Sequence, residues 1–390
     1  MKLIVCCEYR FLQTPDGQVW TRSAFTNSFW QRYLQEFSEL SILARVEQAE
    51  QAEQNWHKVT GPGVSITALP YYLGLKGLIK SLPALVKTLY RALRNQEALI
   101  FRVPSQTAML ARLIRPQRRY ALEVVGDPAD VFSAGITGPL LDKLLGRISA
   151  WQLRRMTKNA LAVSYVTRTY LQKRYPAHPH TPQVACSSIS LTPEWFADAP
   201  RHYSQPVKEL LFVGSFAQLY KGQDVLLQAL SILRQQGTEY RLTMVGGGEK
   251  LTAMQQLASE LGVDKQIHFA GEQPHQQILG YMKNCDVFVL PSRTEGLPRV
   301  MLEAMATAMP AIGSDAGGIP ELLNENRLAP AGNPQILARR ISDLCSNPAC
   351  LTEDSEINLE TARQYRQDKL DGIRQHFYQQ VKLQFSRDKR

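Results

Sequence analysis

The feature that most constrains this chain's fold is the repeated alternation of short apolar runs with longer helical patterns. This alternation is typical of α/β architecture, in which parallel strands are connected by helices. The first half contains four predicted strands: KLIVCC, ALIFRV, YALEVV and ALAVSYV. The second half contains five, each followed by a helical pattern: ELLFVG, YRLTMVG, IHFAG, DVFVLP and PAIGSD. The sequence therefore predicts an α/β fold with parallel sheets.

The length of 390 residues suits roughly two domains. Turn formers and polar residues dominate 187–206, so we place the boundary there. We predict an N-terminal domain over 1–195 and a C-terminal domain over 207–357. The tail, 358–390, has one long helical pattern, which we expect to break near Gly372 and to pack back on the N-terminal domain. Two such domains in succession predict a ligand cleft between them, beyond the carboxyl ends of the strands.

Composition narrows the protein classes. Hydrophobic residues make up 44% and charged residues 21%, as in soluble globular proteins. No apolar run reaches the roughly 18 residues of a spanning helix, and the run at the N-terminus is too short for a signal peptide. The six cysteines are scattered without a CxxC motif, which argues against a disulfide framework and against a zinc site. A cytoplasmic location is the simplest expectation.

The net charge of +10 suits three kinds of partner: nucleic acid, anionic lipid and phosphorylated small molecules. Two segments, 74–96 and 140–159, interleave lysines and arginines with leucines. Such segments can lie on an anionic bilayer, which predicts a peripheral location on the inner face of the membrane. The alternative is an ordinary helix with a solvated basic face.

Glycines and a lysine mark the strand ends of the second half. Gly214 ends one predicted strand, and Lys221 stands next to the start of the following helix. A lysine beside a helix N-terminus favours an anion, with phosphate first among candidates, although a solvated surface lysine fits the same pattern. Three glycines, 246–248, end the next strand and allow the backbone to turn sharply or to approach a ligand. They do not form the GxGxxG of dinucleotide-binding proteins.

The stretch SRTEGLPRVMLEAM contains two glutamates, Glu295 and Glu303, separated by seven residues. Pro298 suits the first helical position, which would leave the N–H groups of Arg299 and Val300 free to bind a second anion. The two carboxylates would then lie about 10 Å apart. Because carboxylates repel phosphate, each is better suited to accept hydrogen bonds from sugar hydroxyls. The spacing fits a nucleotide-sugar laid across the helix start, and the alternative is a pair of structural acids.

These motifs resemble the large retaining glycosyltransferase family four, which includes glycogen synthase-like and lipid-glycan mannosyltransferases. The resemblance covers about 209–323 and rests on FVGSFAQLYKG, TMVGGGE and the longer stretch from IHFAGEQ to GGIPEL. It implies a GT-B fold, with two Rossmann-like domains and the donor bound by the C-terminal one. It also implies that Glu295 contacts the sugar, Glu303 the ribose and Lys221 the diphosphate. The predicted donor-side residues are Gly214, Ser215, Lys221, Glu295, Gly296, Leu297, Arg299, Val300 and Glu303.

The chain also departs from the family. Ser215 stands where many members have an arginine, and Leu297 replaces a common phenylalanine; Arg299 is a candidate for the missing charge. In the first half, which matches less well, Asp127 is our candidate for a catalytic acceptor-side residue, and Arg102 is a weaker one. A helix cap or turn residue is the alternative for Asp127.

The resemblance implies transfer of a hexose from a nucleotide diphosphate sugar to a hydroxyl, with retention at the anomeric carbon. By family frequency we favour UDP and glucose, with a saccharide or a lipid-linked saccharide as acceptor and a role in exopolysaccharide biosynthesis. No DxD motif occurs, so neither a metal nor another cofactor is expected. A glycoside hydrolase would leave Lys221 and the glycine loops without a role. The remaining alternatives are a sugar-nucleotide epimerase on the same fold and a basic nucleic-acid-binding protein, although the chain contains no recognisable RNA module.

Overall fold

The computed structural model describes residues 1–95, 97–129 and 138–387. Gln96, which ends the first basic segment, and 388–390, which end the predicted tail helix, lie outside the described residues. The chain divides into two compact units. Unit 1 comprises Met1–Cys186 together with Asp371–Arg390, and unit 2 comprises Ser187–Leu370. The residues from Asp371 onward therefore belong with the N-terminal part of the chain.

Unit 1 is built on a nine-stranded sheet. Its strands are β1 (Lys2–Gln13), β2 (Val19–Thr21), β3 (Glu39–Gln48), β4 (His57–Lys58), β5 (Val64–Leu69), β6 (Ala98–Val103), β7 (Ala121–Val124), β8 (Val163–Tyr165) and β9 (Gln183–Ala185). The parallel part has the order β5-β3-β1-β6-β7-β8-β9, and β2 and β4 add an antiparallel extension at the end of β1. Every residue of β6 is buried, as expected for a strand covered on both faces.

The helices of unit 1 follow its strands. They are α1 (Asn27–Gln31), α2 (Gly74–Ala92), α3 (Gln106–Ile114), α4 (Pro139–Lys158) and α5 (Tyr170–Arg174). The hydroxyl of Ser105 starts α3 by accepting a hydrogen bond from the N–H of Ala108 at 3.0 Å. Among the described residues, none of the helices combines the length and the apolar content that a membrane span requires.

Unit 2 has a six-stranded sheet in which every strand pair is parallel. Its strands are β10 (Glu209–Val213), β11 (Arg241–Val245), β12 (Ile267–Gly271), β13 (Val287–Leu290), β14 (Ala311–Ser314) and β15 (Leu328–Ala329). The spatial order is β12-β11-β10-β13-β14-β15. The chain therefore runs outward from β10 in one direction and from β13 in the other. The point between β10 and β13 is the topological switch point, where sheets of this kind bind ligands.

The helices of unit 2 lie between its strands and after the last of them in the sequence. They are α6 (Gln223–Gln235), α7 (Leu251–Glu260), α8 (His275–Asn284), α9 (Arg299–Ala306), α10 (Pro334–Cys345), α11 (Pro348–Arg363) and α12 (Gln367–Ser386), which continues into unit 1. Asn333 and Asn347 start α10 and α11, because each side chain accepts a backbone N–H of the first turn. A proline follows each asparagine at the first helical position, where its missing N–H is no loss.

The predicted strands agree with the observed ones to within a few residues, and the α/β class is that of the structure. Two sequence predictions need correction. The tail breaks between α11 and α12 rather than at Gly372, which lies inside α12. The cause is Leu191, which forms a β-bridge with Arg366 and accepts the N–H of Gln367 at 3.0 Å, whereas a helical glycine costs only about 1 kcal/mol. In addition, Pro298 precedes α9 as its N-cap, so Arg299 is the first helical residue.

Candidate active site

Two loops meet at the switch point of the unit 2 sheet. The loop after β10 covers 214–222 and contains Lys221, and the loop after β13 covers 291–298 and contains Glu295. Both loops leave the carboxyl ends of adjacent parallel strands, so the topology brings them to the same edge of the sheet.

Lys221 and Glu295 form an ion pair through Lys221 Nζ and Glu295 Oε1. Both side chains are almost enclosed, with 13% of the lysine and 9% of the glutamate exposed. The hydroxyl of Ser292 donates to the same carboxylate oxygen at 2.9 Å. The structure therefore brings together two residues that lie 74 positions apart in the sequence, and a serine fixes the carboxylate.

Arg293 holds the two loops against each other. Its guanidinium donates two hydrogen bonds of 2.7 Å to Asp224 in the first turn of α6, and a third of 2.9 Å to the carbonyl of Leu219. Its backbone N–H donates to the carbonyl of Tyr220 at 2.7 Å. The hydrogen bonds to Asp224 raise the pKa of Arg293 above its usual value. The position of Lys221 thus depends on contacts made by the loop that contains Glu295.

Glycines allow the loop backbones to approach closely. Gly222, whose φ is +75°, would place a Cβ only 2.0 Å from the carbonyl oxygen of Pro291. Gly317, whose φ is +58°, would place a Cβ 1.8 Å from the carbonyl oxygen of Glu295. Real Cβ atoms do not tolerate such distances, and left-handed backbone favours glycine. Gly246 of the triple glycine similarly lies against the backbone of Gly214. The glycines therefore serve contacts between loops.

The first loop places the remaining predicted residues around Lys221. A Cβ on Gly214 would lie 3.3 Å from Cγ of Lys221, so the lysine stem runs beside the strand end. Ser215 is exposed, and its carbonyl accepts a hydrogen bond of 2.8 Å from the buried side chain of Gln223. Gln223 also donates to the carbonyl of Gln218 at 3.2 Å, so it sets the path of this loop.

The start of α9 contains the other predicted donor residues. Leu297 is buried and Gly296 accepts a hydrogen bond of 2.8 Å from the N–H of Gly318, so both anchor the loop. Val300 is half-buried, and the side chain of Arg299 is exposed. The first N–H groups of a helix have no partner within the helix, which makes this end of α9 electropositive.

Glu303 lies one turn into α9, and its side chain is 16% exposed. Its Oε1 is 3.5 Å from Nε2 of His275, the first residue of α8. The imidazole packs on the buried ring of Trp195, with 4.4 Å between ring centroids. Glu303 therefore has a different environment from Glu295, beside an aromatic and imidazole pair rather than a lysine.

In unit 1, Asp127 is 2% exposed and makes three contacts. It pairs with Arg174, accepts a hydrogen bond from the hydroxyl of Tyr175, and accepts the N–H of Ala129 at 2.8 Å. Burial and the bond to Asp127 raise the pKa of Tyr175. These contacts are those of the structural alternative, a turn residue that ties α5 to the end of β7. A role for Asp127 in acceptor chemistry stays a prediction.

Arg102 lies in the interior of unit 1. It pairs with Glu123 and donates to the hydroxyl of Tyr9 at 2.8 Å. Glu123 also accepts hydrogen bonds from Tyr33 at 2.9 Å and from Tyr378 of α12 at 3.2 Å. Burial raises the pKa of Glu123. The charge of Arg102 and the other partners of Glu123 lower it by more, so the pKa lies below its usual value. This network binds α12 to the sheet.

Sequence reasoning missed four residues of the unit 2 site: Ser292, Gln223, His275 and Trp195. Ser292 lies three positions before Glu295, so its hydroxyl could have been noticed. His275 and Trp195 reach Glu303 only through the tertiary fold, and no local pattern indicates them. No group of three or more His, Cys, Asp or Glu that could hold a metal ion occurs among residues 1–95, 97–129 and 138–387.

Comparisons with known proteins bear on the chemistry. Residues 199–365 match the family described as "Glycosyl transferases group 1". Protein CapJ of Staphylococcus aureus is 27% identical over 78% of this chain and 76% of its own length. A mannosyltransferase of Mycolicibacterium smegmatis, named as GDP-mannose-dependent, is 26% identical over 66% of this chain and 76% of its own. The chain is a glycosyltransferase. The amylovoran biosynthesis glycosyltransferase AmsK of Erwinia amylovora is 35% identical, over 30% of this chain and 31% of its own.

Solved structures agree on the fold. Sucrose-phosphate synthase of Thermosynechococcus elongatus superposes on this glycosyltransferase with a TM-score of 0.71, covering 98% of this chain and 100% of that one, at 15% identity. HepE of Anabaena, solved with UDP-glucose, gives a TM-score of 0.64 at 16% identity over 98% of this chain and 100% of that one. The predicted α/β fold with two parallel sheets, of the GT-B type, is confirmed.

Proposed function

We propose that this glycosyltransferase moves a hexose from a nucleotide diphosphate sugar to a hydroxyl acceptor, with retention at the anomeric carbon. The Lys221–Glu295 pair at the switch point carries the proposal. In such a donor a single oxygen joins the diphosphate to the sugar, so the groups that bind them must be adjacent. A lysine for the phosphate and a carboxylate for sugar hydroxyls, in contact with each other, have that arrangement.

The protein's contribution to this reaction is electrostatic. The bond between the anomeric carbon and the phosphate oxygen breaks, and negative charge grows on the leaving diphosphate. Lys221 and the N–H groups of Arg299 and Val300 stabilise that charge. The acceptor oxygen bonds to the anomeric carbon on the same face, and its proton passes to a leaving phosphate oxygen. The carboxylate of Glu295 stabilises the positive charge that develops on the sugar. No metal or other cofactor takes part in this proposal.

Glu303 is proposed to hold the ribose of the donor. Its carboxylate accepts hydrogen bonds, and only His275 contacts it among the ion pairs of the described part of unit 2. UDP-glucose is the proposed donor, and the complex of HepE with UDP-glucose on the same fold supports it. The mannosyltransferase named as GDP-mannose-dependent, the closer of the two in sequence, makes GDP-mannose the competing candidate.

For the acceptor we propose a saccharide or a lipid-linked saccharide, used in exopolysaccharide biosynthesis on the inner face of the membrane. The name of AmsK as an amylovoran biosynthesis enzyme supports this setting. Asp127 is retained as the acceptor-side candidate of unit 1.

A panel of nucleotide-sugars tests the function. The purified chain is mixed with UDP- and GDP-linked hexoses, and release of nucleoside diphosphate is measured with and without saccharide acceptors. We expect turnover with UDP-glucose, no change on adding a metal chelator, and a product whose anomeric configuration by NMR matches the donor. Turnover with GDP-mannose alone would replace the donor assignment. An inverted product would refute the retaining mechanism, and no binding of any donor would refute the function.

A further inference from the structure

The outer face of α4 has a composition unlike that of an ordinary solvated helix. Ten of its described side chains, which are those of 140–158, are exposed. They are Leu140, Leu141, Lys143, Leu144, Arg147, Ile148, Trp151, Arg154, Arg155 and Lys158. Five are large and apolar, five are basic and none is acidic. We call these ten residues the α4 outer face. The helix contains one carboxylate, that of Asp142, which is buried and accepts the N–H of Gly138 at 3.1 Å.

The apolar members form a stripe. Leu140, Leu144, Ile148 and Trp151 are spaced by four, four and three residues, which places them on one side of a helix. Their exposed fractions are 87%, 53%, 48% and 58%, respectively. Exposed apolar stripes of this size on soluble proteins mark contact surfaces rather than solvated faces. Arg155 lies 5.6 Å from the ring centroid of Trp151, so a cation adjoins the largest apolar group.

Helix α2 repeats this composition on the same side of the sheet. Its exposed side chains include Ile79 and Tyr90 with several lysines and arginines, and no acid occurs in 71–95. The crossovers that contain α2, α3 and α4 all run in the same direction along the sheet, so right-handed connections place the three helices on one face. Helix α3 lies between the other two, packing against α2 and accepting a hydrogen bond from Gln152 of α4 at Met109. Leu113 of α3 is also exposed.

The charge of the chain is concentrated on this region. Residues 71–160 contain 15 Lys and Arg against five Asp and Glu, an excess of ten that equals the net charge of the whole chain. Three of the five acids, Glu123, Asp127 and Asp142, are buried, as are Arg102 and Arg118 among the 15 basic residues. Unit 2, which contains the proposed donor site, has 16 Lys and Arg against 21 Asp and Glu, a net charge of −5. The excess positive charge therefore lies outside the unit that contains the proposed donor site.

We propose that the α4 outer face, with the adjoining exposed side chains of α2, binds the surface of an anionic lipid bilayer. The apolar stripe enters the boundary between headgroups and acyl chains, and the lysines and arginines contact anionic headgroups. Trp151 lies at the interface, the depth that tryptophan prefers. This surface deepens the proposed function, because it names the partner that would present a lipid-linked acceptor.

Two other partners fit the surface less well. A nucleic acid offers phosphates to the basic residues, but its backbone offers no hydrocarbon phase to Leu140 or Ile148. A second copy of the chain could cover the apolar stripe, but it would bring Lys143 and Arg147 near the same cations of the other copy, which repel. A bilayer supplies both the hydrocarbon and the negative charge.

Flotation of the full chain with vesicles tests the proposal. We expect binding to vesicles of phosphatidylcholine and phosphatidylglycerol in equal parts, and weak binding to phosphatidylcholine alone. Lys143→Gln/Arg147→Gln should lower the partition coefficient about 25-fold, since each basic residue near the surface contributes about fivefold. Leu144→Ser/Trp151→Ser should lower it at least about tenfold. The matched control variants are Leu383→Ser, whose side chain is 51% exposed on α12, and Arg339→Gln on α10.

Tryptophan fluorescence reports insertion directly. The emission should shift to shorter wavelength with anionic vesicles. Trp151→Phe should remove most of this shift, because Trp30, Trp56 and Trp195 are buried and Trp20 is half-buried on β2, outside the proposed surface. Equal loss of binding in the control variants would overturn the proposal, as would vesicle binding that survives both α4 variants. Sedimentation velocity that shows dimers lost in the α4 variants would assign the surface to a second copy. Binding to an oligonucleotide that exceeds vesicle binding and ignores Leu144→Ser/Trp151→Ser would assign it to nucleic acid.

The two proposals fail separately. Release of nucleoside diphosphate with a water-soluble acceptor should be unchanged in every α4 variant, because no residue of the α4 outer face belongs to the donor site. Active enzyme without vesicle binding would refute the membrane surface alone. Vesicle binding without turnover on any donor would refute the proposed function alone.

Discussion

Replacing Lys221 by methionine keeps the length of the side chain and removes its charge. Glu295, 9% exposed, would then lose its cation, and breaking a fully buried pair costs about 3–5 kcal/mol. We expect a loss of about 2–3 kcal/mol in the free energy of unfolding of unit 2, below that range because Ser292 still donates to the carboxylate. The double variant Lys221→Met/Glu295→Gln should recover part of this loss, giving a coupling energy of about 1–2 kcal/mol.

Hydrogen exchange measured across a urea series reads unit 2 separately from unit 1, so the four members of the cycle can be compared. The control cycle uses Arg339 and Asp343, whose side chains are 74% and 55% exposed, and should give a coupling of at most about 0.5 kcal/mol. In the same variants, turnover of the donor should fall about 10²–10³-fold with Lys221→Met. A coupling no larger than that of the control pair would refute the ion pair. A loss of turnover below about threefold would assign the diphosphate to the α9 end or to Arg299.

Three further predictions follow from the structure. Glu303→Gln should weaken the affinity for free nucleoside diphosphate, measured by calorimetry. Glu295→Gln should leave that affinity nearly intact and lower kcat, because free nucleoside diphosphate lacks the hexose that Glu295 contacts. Equal losses of affinity in the two variants would show that the donor is placed wrongly. Gly317→Ala should lower the free energy of unfolding by more than about 3 kcal/mol. The control Gly237→Ala, at a φ of +82° with no atom within 4 Å of the added Cβ, should lower it by about 1–2 kcal/mol. Equal losses in the two variants would contradict the loop contact. Glu123→Gln should lower the free energy of unfolding of unit 1 at pH 7, measured by urea denaturation. The difference between variant and wild type should shrink as the pH falls below about 4.3, because the lowered pKa of Glu123 gives stability that protonation removes. A difference that stays constant with pH would refute the ionised state of Glu123.

Strands buried on both faces were predictable because their apolar runs are continuous. Strand β13 and strand β10 fall within the predicted segments, and both lead into the site. Strand β3 was missed because Arg45 and Glu47 interrupt its apolar pattern. Arg45 is tolerated there because Glu8 pairs with it at 2.8 Å and the carbonyl of Tyr72 accepts from it at 2.9 Å. Such compensation comes from distant residues, which a local pattern does not contain.

The positions of Lys221, Glu295 and Glu303 at the edge of the sheet could be predicted, since each stands at a strand end or on the helix that follows. Their partners could not. The contact of Lys221 with Glu295 depends on the order of β10 and β13 in the sheet and on glycines that let two loops touch. The glycines 246–248 were expected to let the backbone turn sharply or approach a ligand, and in the structure Gly246 lies against the backbone of Gly214. A glycine alone does not tell whether the close atom belongs to a ligand or to the protein.

The net charge of +10 shows how a summed property misleads when domains differ. From the sequence total, a phosphorylated ligand was one of three explanations for the excess. Unit 2, Ser187–Leu370, has a net charge of −5. The rest of the chain contains 29 Lys and Arg against 14 Asp and Glu, which gives it a net charge of +15. In the proposed function, a diphosphate bound to this acidic unit would be held by short-range contacts, and Lys221 and the start of α9 are the groups proposed to make them. The dispersed cations of α2 and α4 act over a Debye length instead, which suits a broad anionic surface and not a single small molecule.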